Sequence, residues 1–588
     1  MAPTISRSLR VPVKKLRRVC DPRSLKFKTT ADLAPIEGTV GQDRAVSALD
    51  FGLSIEAEGF NVYVAGPPGT GRSTEVKTQL ARIAATRPPP RDWCYVFNFR
   101  DPSRPEALSL PPDRGHQLSH DVDELIEAVR REVPRAFESD EYVQRRDQVG
   151  REVQTQRERF FEALEKEAHG RDMAVNVTPM GITTVPIIDG KPITKEQYDL
   201  LTDERKRELQ GHTTELDSII AQMAPQLRRL DRGAHLLVAE LDKQVMKAIT
   251  SPRLEELKRD FKDEPPAVEF IDGLGADMIE HIDDFRAQEE PQQIAIPGLP
   301  PMQRDGVFNR YKVNVIVTHA TDAKAPAVFE ESPSYYHMFG RIDYRSTFGS
   351  MMTDHTMIKP GALHRANGGF LVVQALDVLT QPLVWETLKR ALRTGQIRME
   401  NLGEQFSVIP TTTLSPEPIP LKVKVAMIGT SRVFQILQSA DEDFQKLFKA
   451  KADFTTDVER IGEHVDLYSR FIARQVAELG MHPLDRAAAA KIIEQSSRMV
   501  SDQEKLSLRM MDVVDLLVES DYWACGAKSA TVNGEHVEKA IEQKVYRSNL
   551  IEDRIQEFIT NGTIKVDVDG ATVGQVNGLS VYDLGDYS

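Results

Sequence analysis

The chain reads as an α/β domain split by a long helical insertion and followed by a helical bundle. Three observations carry that reading. An apolar run at residues 61–65 passes directly into a glycine-rich loop and then a helix. Two more apolar runs of strand length, 369–373 and 422–428, come only much later in the chain. Between them lie long charged stretches with helix-favouring composition, and after them the chain is helical through 463–548.

In chain order, residues 1–30 are basic and irregular and read as an arm. Residues 31–112 form the first half of the α/β core. Gly41-Gln42-Asp43-Arg44-Ala45 opens a helix with apolar positions Ala45, Leu49 and Leu53, followed by the strand at 61–65 and an apolar run at 93–98. Residues 113–300 form the insertion. Residues 121–168 and 202–262 are helical, the first with Leu125, Ile126, Val129 and Val133 on one side. Between them the β-branched stretch 173–193, with Ile188-Asp189-Gly190-Lys191 as a turn, predicts a small β tip. The insertion reads as a coiled-coil hairpin or as a solvated helical spacer. Residues 301–460 return to α/β, with 313–317 as a further strand. Residues 461–555 form the helical bundle, and 556–588 turn strand-like, Thr563 to Val568 alternating at period two.

A chain of 588 residues with 40% hydrophobic content has material for several cores. The net charge of −14 and pI near 5.6 argue against a general nucleic-acid binder, which needs a basic footprint. No apolar run approaches membrane-spanning length. Cys20, Cys94 and Cys525 are scattered, match no metal spacing, and read as reduced thiols of a cytoplasmic protein.

The loop carries the chemistry. Gly66, Pro67, Pro68, Gly69, Thr70, Gly71, Arg72, Ser73 and Thr74 fit the phosphate-loop pattern of strand, Gly-x-x-x-x-Gly-Lys-Ser/Thr and helix at every position but one: Arg72 replaces the lysine. The glycines let backbone N–H groups turn toward phosphate oxygens, the helix start adds its positive end, and Ser73 is the Mg2+ candidate, a weak one. Arginine is planar, forked and longer than lysine, so it pairs with phosphate from a different place. A partner strand should end in Asp-Glu, one carboxylate for the metal and one for the attacking water. The strand Phe370-Leu371-Val372-Val373 ends instead in Gln374 and Ala375. Gln374 brings no charge and Ala375 no base, so hydrolysis is expected to be poor. Arg432, after the strand at 422–428, and Arg509, read as lying on a helix of the bundle, are sensor candidates. Tyr335, Tyr336 and Phe339 line a central pore or pack in a core.

Val40-Gly41-Gln42-Asp43-Arg44-Ala45, the loop at 66–74, Lys359-Pro360-Gly361-Ala362-Leu363-His364-Arg365-Ala366-Asn367-Gly368-Gly369 and Leu506-Ser507-Leu508-Arg509 together resemble the AAA+ part of the Lon-like, LonB-type bacterial proteases. Gly340-Arg341-Ile342-Asp343-Tyr344 and the stretch Trp385 to Leu392 are similar to that family too. The resemblance implies an ATP- and Mg2+-dependent AAA+ module with a helical lid, a homo-hexameric ring, unfolded or damaged proteins as substrates, and a peptidase domain with a Ser–Lys dyad. No residue here is assigned to that dyad. Residues 573–581 look like the opening strand of the peptidase domain, cut short at Ser588. The departures at Arg72 and Gln374-Ala375 leave a second reading open, a pseudo-ATPase scaffold or adaptor.

Overall fold

The computed structural model describes residues 11–36, 38–178, 181–188, 191–194, 197–198, 200–286, 305–347, 350–400, 414–576 and 578. The core begins with α1 (Asp43–Ser54), β1 (Val62–Ala65) and α2 (Arg72–Ala84). The insertion follows: β2 (Asp92–Val96), β3 (Glu106–Leu110), α3 (Arg114–Phe137), α4 (Asp140–His169), β4 (Met173–Thr178), β5 (Gly181–Ile188), β6 (Lys191–Pro192), α5 (Asp203–Asp260), α6 (Pro265–Glu280) and β7 (Asn314–Val317). The core resumes with β8 (Ala327–Glu330), α7 (Tyr335–Phe339), α8 (Ala362–Arg365), β9 (Phe370–Gln374), α9 (Ala375–Thr380), α10 (Val384–Thr394), β10 (Lys424–Gly429), α11 (Ser431–Ala440), β11 (Ala450–Asp453) and β12 (Asp457–Glu459). The lid comprises α12 (Gly462–Glu478), α13 (Arg486–Met499), β13 (Lys505–Ser507), α14 (Met510–Gly526) and α15 (Gly534–Ser548), with α16 (Leu550–Thr560) after it.

The central sheet has the order β11-β1-β10-β9-β8, and every pairing is parallel. Its inner strands β1, β10 and β9 are largely apolar because both faces are covered, while the edge strands carry charge, Lys451 and Asp453 in β11 and Glu330 in β8. Tyr63, Ala65, Leu371, Val373, Val425 and Met427 face one core, shared with Met338, Leu363, Leu388 and Phe444. Their alternates Val62, Val64, Phe370, Val372, Ala426 and Ile428 face the other, shared with Ala45, Leu49 and Leu53 of α1 and Val76 and Leu80 of α2. This is the α/β layer architecture read from the sequence, with β1 and its loop on an interior strand between β11 and β10.

The chain leaves this sheet after α2 and rejoins it at β8. Strands β2 and β7, read from sequence as part of the α/β core, lie instead in a separate antiparallel sheet of order β3-β2-β7. Its apolar residues Cys94, Val96, Leu108 and Leu110 pack against Leu118, Leu125 and Val129 of α3, Met246 and Leu254 of α5, and Phe270 and Leu274 of α6. A short apolar strand carries no label for its sheet, so sequence pattern alone misplaced these two. The buried Asp92 locks the unit: its carboxylate accepts from Gly115 N at 3.0 Å, Thr318 Oγ1 at 3.0 Å and His319 N at 2.8 Å. Helices α4 and α5 form the long hairpin. At about 1.5 Å per residue, the 58 residues of α5 span about 87 Å. The tip sheet β4-β5-β6 caps it, with Ala168, Met173, Leu209 and Leu216 as its core. Ile188 pairs Lys191 as the expected hairpin requires; Asp189 and Gly190 of that turn lie outside the described residues.

The lid core joins Tyr468, Ile472, Ile492, Ile493, Leu516 and Leu517. It also takes Cys20, Leu25 and Phe27, so the described part of the basic arm packs on the lid rather than standing free. Arg17 pairs with Glu494 and Arg18 with Glu504. Two expectations fail here. Residues 505–509 are not helical: Lys505–Ser507 is strand β13, antiparallel to β12, and Arg509 sits at the N-cap of α14. The alternating stretch Thr563 to Val568 forms no strand; it follows α16 as exposed irregular chain, because period-two alternation becomes a strand only where a partner edge is present. Of the stretch 573–581, residues 577 and 579–581 lie outside the described residues.

Candidate nucleotide-binding site

The loop of residues 66–74 lies at the C-terminal end of β1, an interior strand of the parallel sheet, and open α/β sheets place their ligands at the carboxyl ends of their strands. Gly66, Gly69 and Gly71 have φ of +154°, +83° and +84°, conformations that strain any residue with a Cβ. Thr70 is buried and donates from Oγ1 to Pro67 O at 3.0 Å, closing the loop on itself. Ser73 and Thr74, in the first turn of α2, are exposed. Glu75 behind them is buried and accepts from Thr39 Oγ1 at 3.0 Å, which ties the loop to the segment before α1.

Arg72 turns back onto the sheet. Its Nη1 donates to the Gly429 carbonyl at the end of β10, the same oxygen that accepts from Gly66 N at 3.2 Å. Partial burial pulls its pKa below the ordinary arginine value. The guanidinium therefore braces the loop against β10. A lysine, with one compact ammonium and no fork, has no equivalent reach to both sheet and ligand.

Strand β9 ends in exposed Gln374, in register with Ile428, and fully buried Ala375 starts α9. The space beside Ala375 is occupied. A Cβ on Gly429 would meet Ala375 Cβ at 2.9 Å and would collide with the Tyr63 hydroxyl. Tyr63 Oη donates to Thr430 O at 3.0 Å, and burial pushes its pKa up to about 12. Tyr63, Ala375 and Gly429 thus form a matched large-small-small set where a longer acidic side chain would have to pass. The sequence reading saw the loss at Ala375 and missed the tyrosine that fills its place. Its only signal was a bulky aromatic inside a strand of small aliphatics.

The remaining candidates separate. Arg432 is exposed in the first turn of α11, whose N-cap is Thr430. Arg509 is half exposed and pairs through Nε with Asp512 at 2.9 Å. The start of α14 does reach the loop: Met511 N donates to Gly69 O at 3.3 Å, and a Cβ on Gly69 would meet Met511 Cβ at 2.9 Å. Lid and loop are in contact, two residues after Arg509. Gln42, also missed in its role, bonds both ways with Thr455 at the core–lid junction, from Nε2 to Thr455 O at 2.9 Å and from Thr455 N to Oε1 at 3.0 Å. Of the pore candidates, Tyr335 and Phe339 are buried in the core with Met338, which removes them from any pore surface; Tyr336 alone is exposed.

The glycine-rich stretch at 361–369 is a joint. His364 is buried, its Nδ1 accepts from Gly361 N at 3.2 Å, and burial pulls its pKa down to about 3. Asn367 spans two backbone groups, Nδ2 to Pro420 O at 2.8 Å and Oδ1 from Lys422 N at 2.9 Å. Trp385 and Lys389 of α10 both donate to Asp441 Oδ2 at 2.7 Å. A ligand set that sequence spacing did not reveal is also assembled in the lid from His482, Asp521 and Cys525.

Comparison with known proteins agrees with this architecture. A LonB-like AAA domain family matches residues 323–455, the archaeal LonB AAA+ ATPase lid domain matches 483–547, and the Lon-like LonC helical domain matches 92–125. The last begins at β2, where the chain leaves the central sheet. A putative Lon protease homolog of Escherichia coli (strain K12) is 25% identical over 240 residues, covering 39% of this chain and 38% of that protein. An archaeal Lon protease of Archaeoglobus fulgidus is 26% identical over 283 residues, covering 47% and 42%. The matched stretch is thus less than half the length of either relative. Among solved structures, NtrX from Brucella abortus overlaps 36% of this chain and 43% of its own at 15% identity with a TM-score of 0.25, too little to carry an argument. The matched AAA, lid and helical domain families, with two Lon relatives, support a Lon-like AAA+ protein.

Proposed function

We propose that this chain is the nucleotide-binding portion of a Lon-like ATP-dependent serine protease system that unfolds and degrades proteins, with weakened ATP hydrolysis. The loop at 66–74 takes the phosphates of ATP, Ser73 faces the Mg2+, and Arg432 and Arg509 sense the nucleotide from core and lid. Self-assembly into a hexameric ring in the cytoplasm, with unfolded protein as substrate, follows the same family reading. Among the described residues no helix is long and apolar enough to cross a membrane.

The observation that carries the weakened hydrolysis is the Tyr63-Ala375-Gly429 set. It leaves no carboxylate at the end of β9, and Ala375 is fully buried beside Gly429. Binding needs the loop glycines and helix start, which are intact; water activation needs a base, which the end of β9 does not supply. The same observation favours a second reading, a ring-forming scaffold that binds nucleotide without turning it over. Binding of a fluorescent ATP analogue and steady-state phosphate release from the purified protein test both. Saturable binding with turnover at least about tenfold below that of a Tyr63→Val/Gln374→Asp/Ala375→Glu variant supports weakened hydrolysis. Binding with no turnover supports the scaffold. Ordinary AAA+ turnover by the unmodified chain sinks both.

A further inference from the structure

We propose that the lid carries a zinc-type metal site built from His482, Asp521 and Cys525. The three residues come from two elements. His482 lies in the turn between α12 and α13, while Asp521 and Cys525 lie one turn apart on the same face of α14. Their donor atoms all fall within 4.8 Å of one another. Cys525 Sγ is 3.7 Å from His482 Nδ1 and 3.8 Å from Asp521 Oδ2, and His482 Nδ1 is 2.8 Å from Asp521 Oδ1.

These separations are close to those of a tetrahedral metal centre. With Zn–S of about 2.3 Å and Zn–N or Zn–O of about 2.0–2.2 Å, the ligand–ligand edges come to about 3.4–3.6 Å. The two sulfur edges already have nearly that length. The third is a hydrogen bond, which must open by about half an ångström to admit the ion. A nucleophilic triad does not fit the same geometry, because sulfur and carboxylate both approach Nδ1, whereas base catalysis needs the two on opposite ring nitrogens. A thiolate, an imidazole and a carboxylate together select zinc over the hard cations, and three protein ligands leave one position open.

The site is held in place before any metal arrives. His482 N donates to Asp521 Oδ1 at 2.9 Å, fixing the carboxylate. The turn is anchored on both sides of the histidine, Met481 N to Val476 O at 3.0 Å and Leu484 N to Thr30 Oγ1 at 2.9 Å. Pro483 follows directly and restricts the histidine backbone to extended conformations. Cys525 is exposed, while Cys20 and Cys94 are buried, so the ligand thiol is also the one a solute can reach. A bound ion would staple the α12–α13 turn to α14, the helix whose first turn touches the phosphate loop.

The test titrates Co2+ and then Zn2+ into the reduced, metal-stripped full chain. One equivalent of Co2+ should bind with a sulfur-to-cobalt absorption band in the near ultraviolet, and Zn2+ should displace it. Zn2+ should also protect the reactive thiol from a disulfide reagent. Cys525→Ser should abolish the band. Cys525→Ser and His482→Gln should each weaken Zn2+ binding by at least about 100-fold, since losing even an outer partner of a metal ligand costs 10–100-fold. All three residues are at or near the surface, so the variants retain the fold. Absence of the band, or equal metal affinity in Cys525→Ser, overturns the site.

Discussion

Two glycine-rich segments adjoin strands of the central sheet, 66–74 after β1 and 361–369 before β9, and they use their glycines differently. In the first, three glycines with positive φ turn the backbone sharply, and the side chains that follow, Ser73 and Thr74, are exposed. In the second, Gly368 also has a positive φ, of +81°, while Gly361 and Gly369 are spacers. A Cβ on Gly369 would collide with the Pro326 carbonyl, and one on Gly361 with Gly340 N and Met338 O, all backbone atoms. Gly369 N donates to Ala366 O at 2.9 Å and its carbonyl accepts from Lys424 N at 3.0 Å, so the segment is held on both edges. The first is built to receive something and the second to be filled by its own chain. The glycine-rich stretch at 361–369, part of the family resemblance, is therefore architecture.

Unfolding of single variants sharpens that contrast. Gly369→Ala forces backbone apart and should cost at least about 4 kcal/mol, enough to prevent folding of the core. Gly69→Ala meets Met511 at its Cβ, 2.9 Å away, and adds a left-handed φ, and should cost about 2 kcal/mol. Urea midpoints measure both. Equal costs would erase the distinction between cradle and joint.

The next effect concerns the filled space at the sheet end. Ala375→Glu places a carboxylate in a full, apolar pocket and should destabilise by about 3 kcal/mol. In a Tyr63→Val background the same change should cost at least about 1 kcal/mol less, a coupling that a double-mutant cycle isolates. Additive costs would mean that Tyr63 does not occupy the position.

Much of this was legible in the sequence. Strands β1, β9 and β10 announce themselves because both faces of each are buried, which confines polar residues such as Lys424 and Gln374 to the strand ends. The α1 positions Ala45, Leu49 and Leu53 fall on one helical face and pack where the spacing places them. The phosphate loop was readable because backbone geometry dictates its glycines. What failed depends on partners distant in sequence. β2 and β7 look like core strands until their sheet is known. Tyr335 and Phe339 look like pore residues until Met338, Leu363 and Leu388 surround them. Thr563 to Val568 has a strand pattern and no edge to join. The role of Tyr63 and the grouping of His482 with Cys525 are tertiary facts that no local spacing encodes.

Acid should separate the two segments as well. His364, in the joint, has a folded pKa of about 3 against 6.5 when free. Above pH 6.5 it is neutral in both states and its contribution is complete. Between about 6.5 and 3 only the unfolded chain takes up the proton, so stability falls as pH falls, by about 1.4 kcal/mol per pH unit once the gap is fully open. Burial also pulls down His355 and His319, which adds to the slope. His364→Gln should flatten the acid limb of the stability profile by about one proton's worth. An unchanged slope would show that the buried ring is not what acid attacks.

The smallest expected effect is at Arg72, and it bears most directly on function. Its bond to Gly429 O braces the loop through a site shared with Gly66 N, so the brace is redundant for stability. Arg72→Lys should change the unfolding free energy by less than about 1 kcal/mol. The lysine ammonium is free of the sheet carbonyl and can approach the phosphates as a point charge. Affinity for a triphosphate should rise several-fold relative to the diphosphate, while turnover stays low because no base is restored at 375. If turnover instead rises with affinity, Arg72 is what holds hydrolysis back, and the emptied end of β9 matters less than its residues suggest.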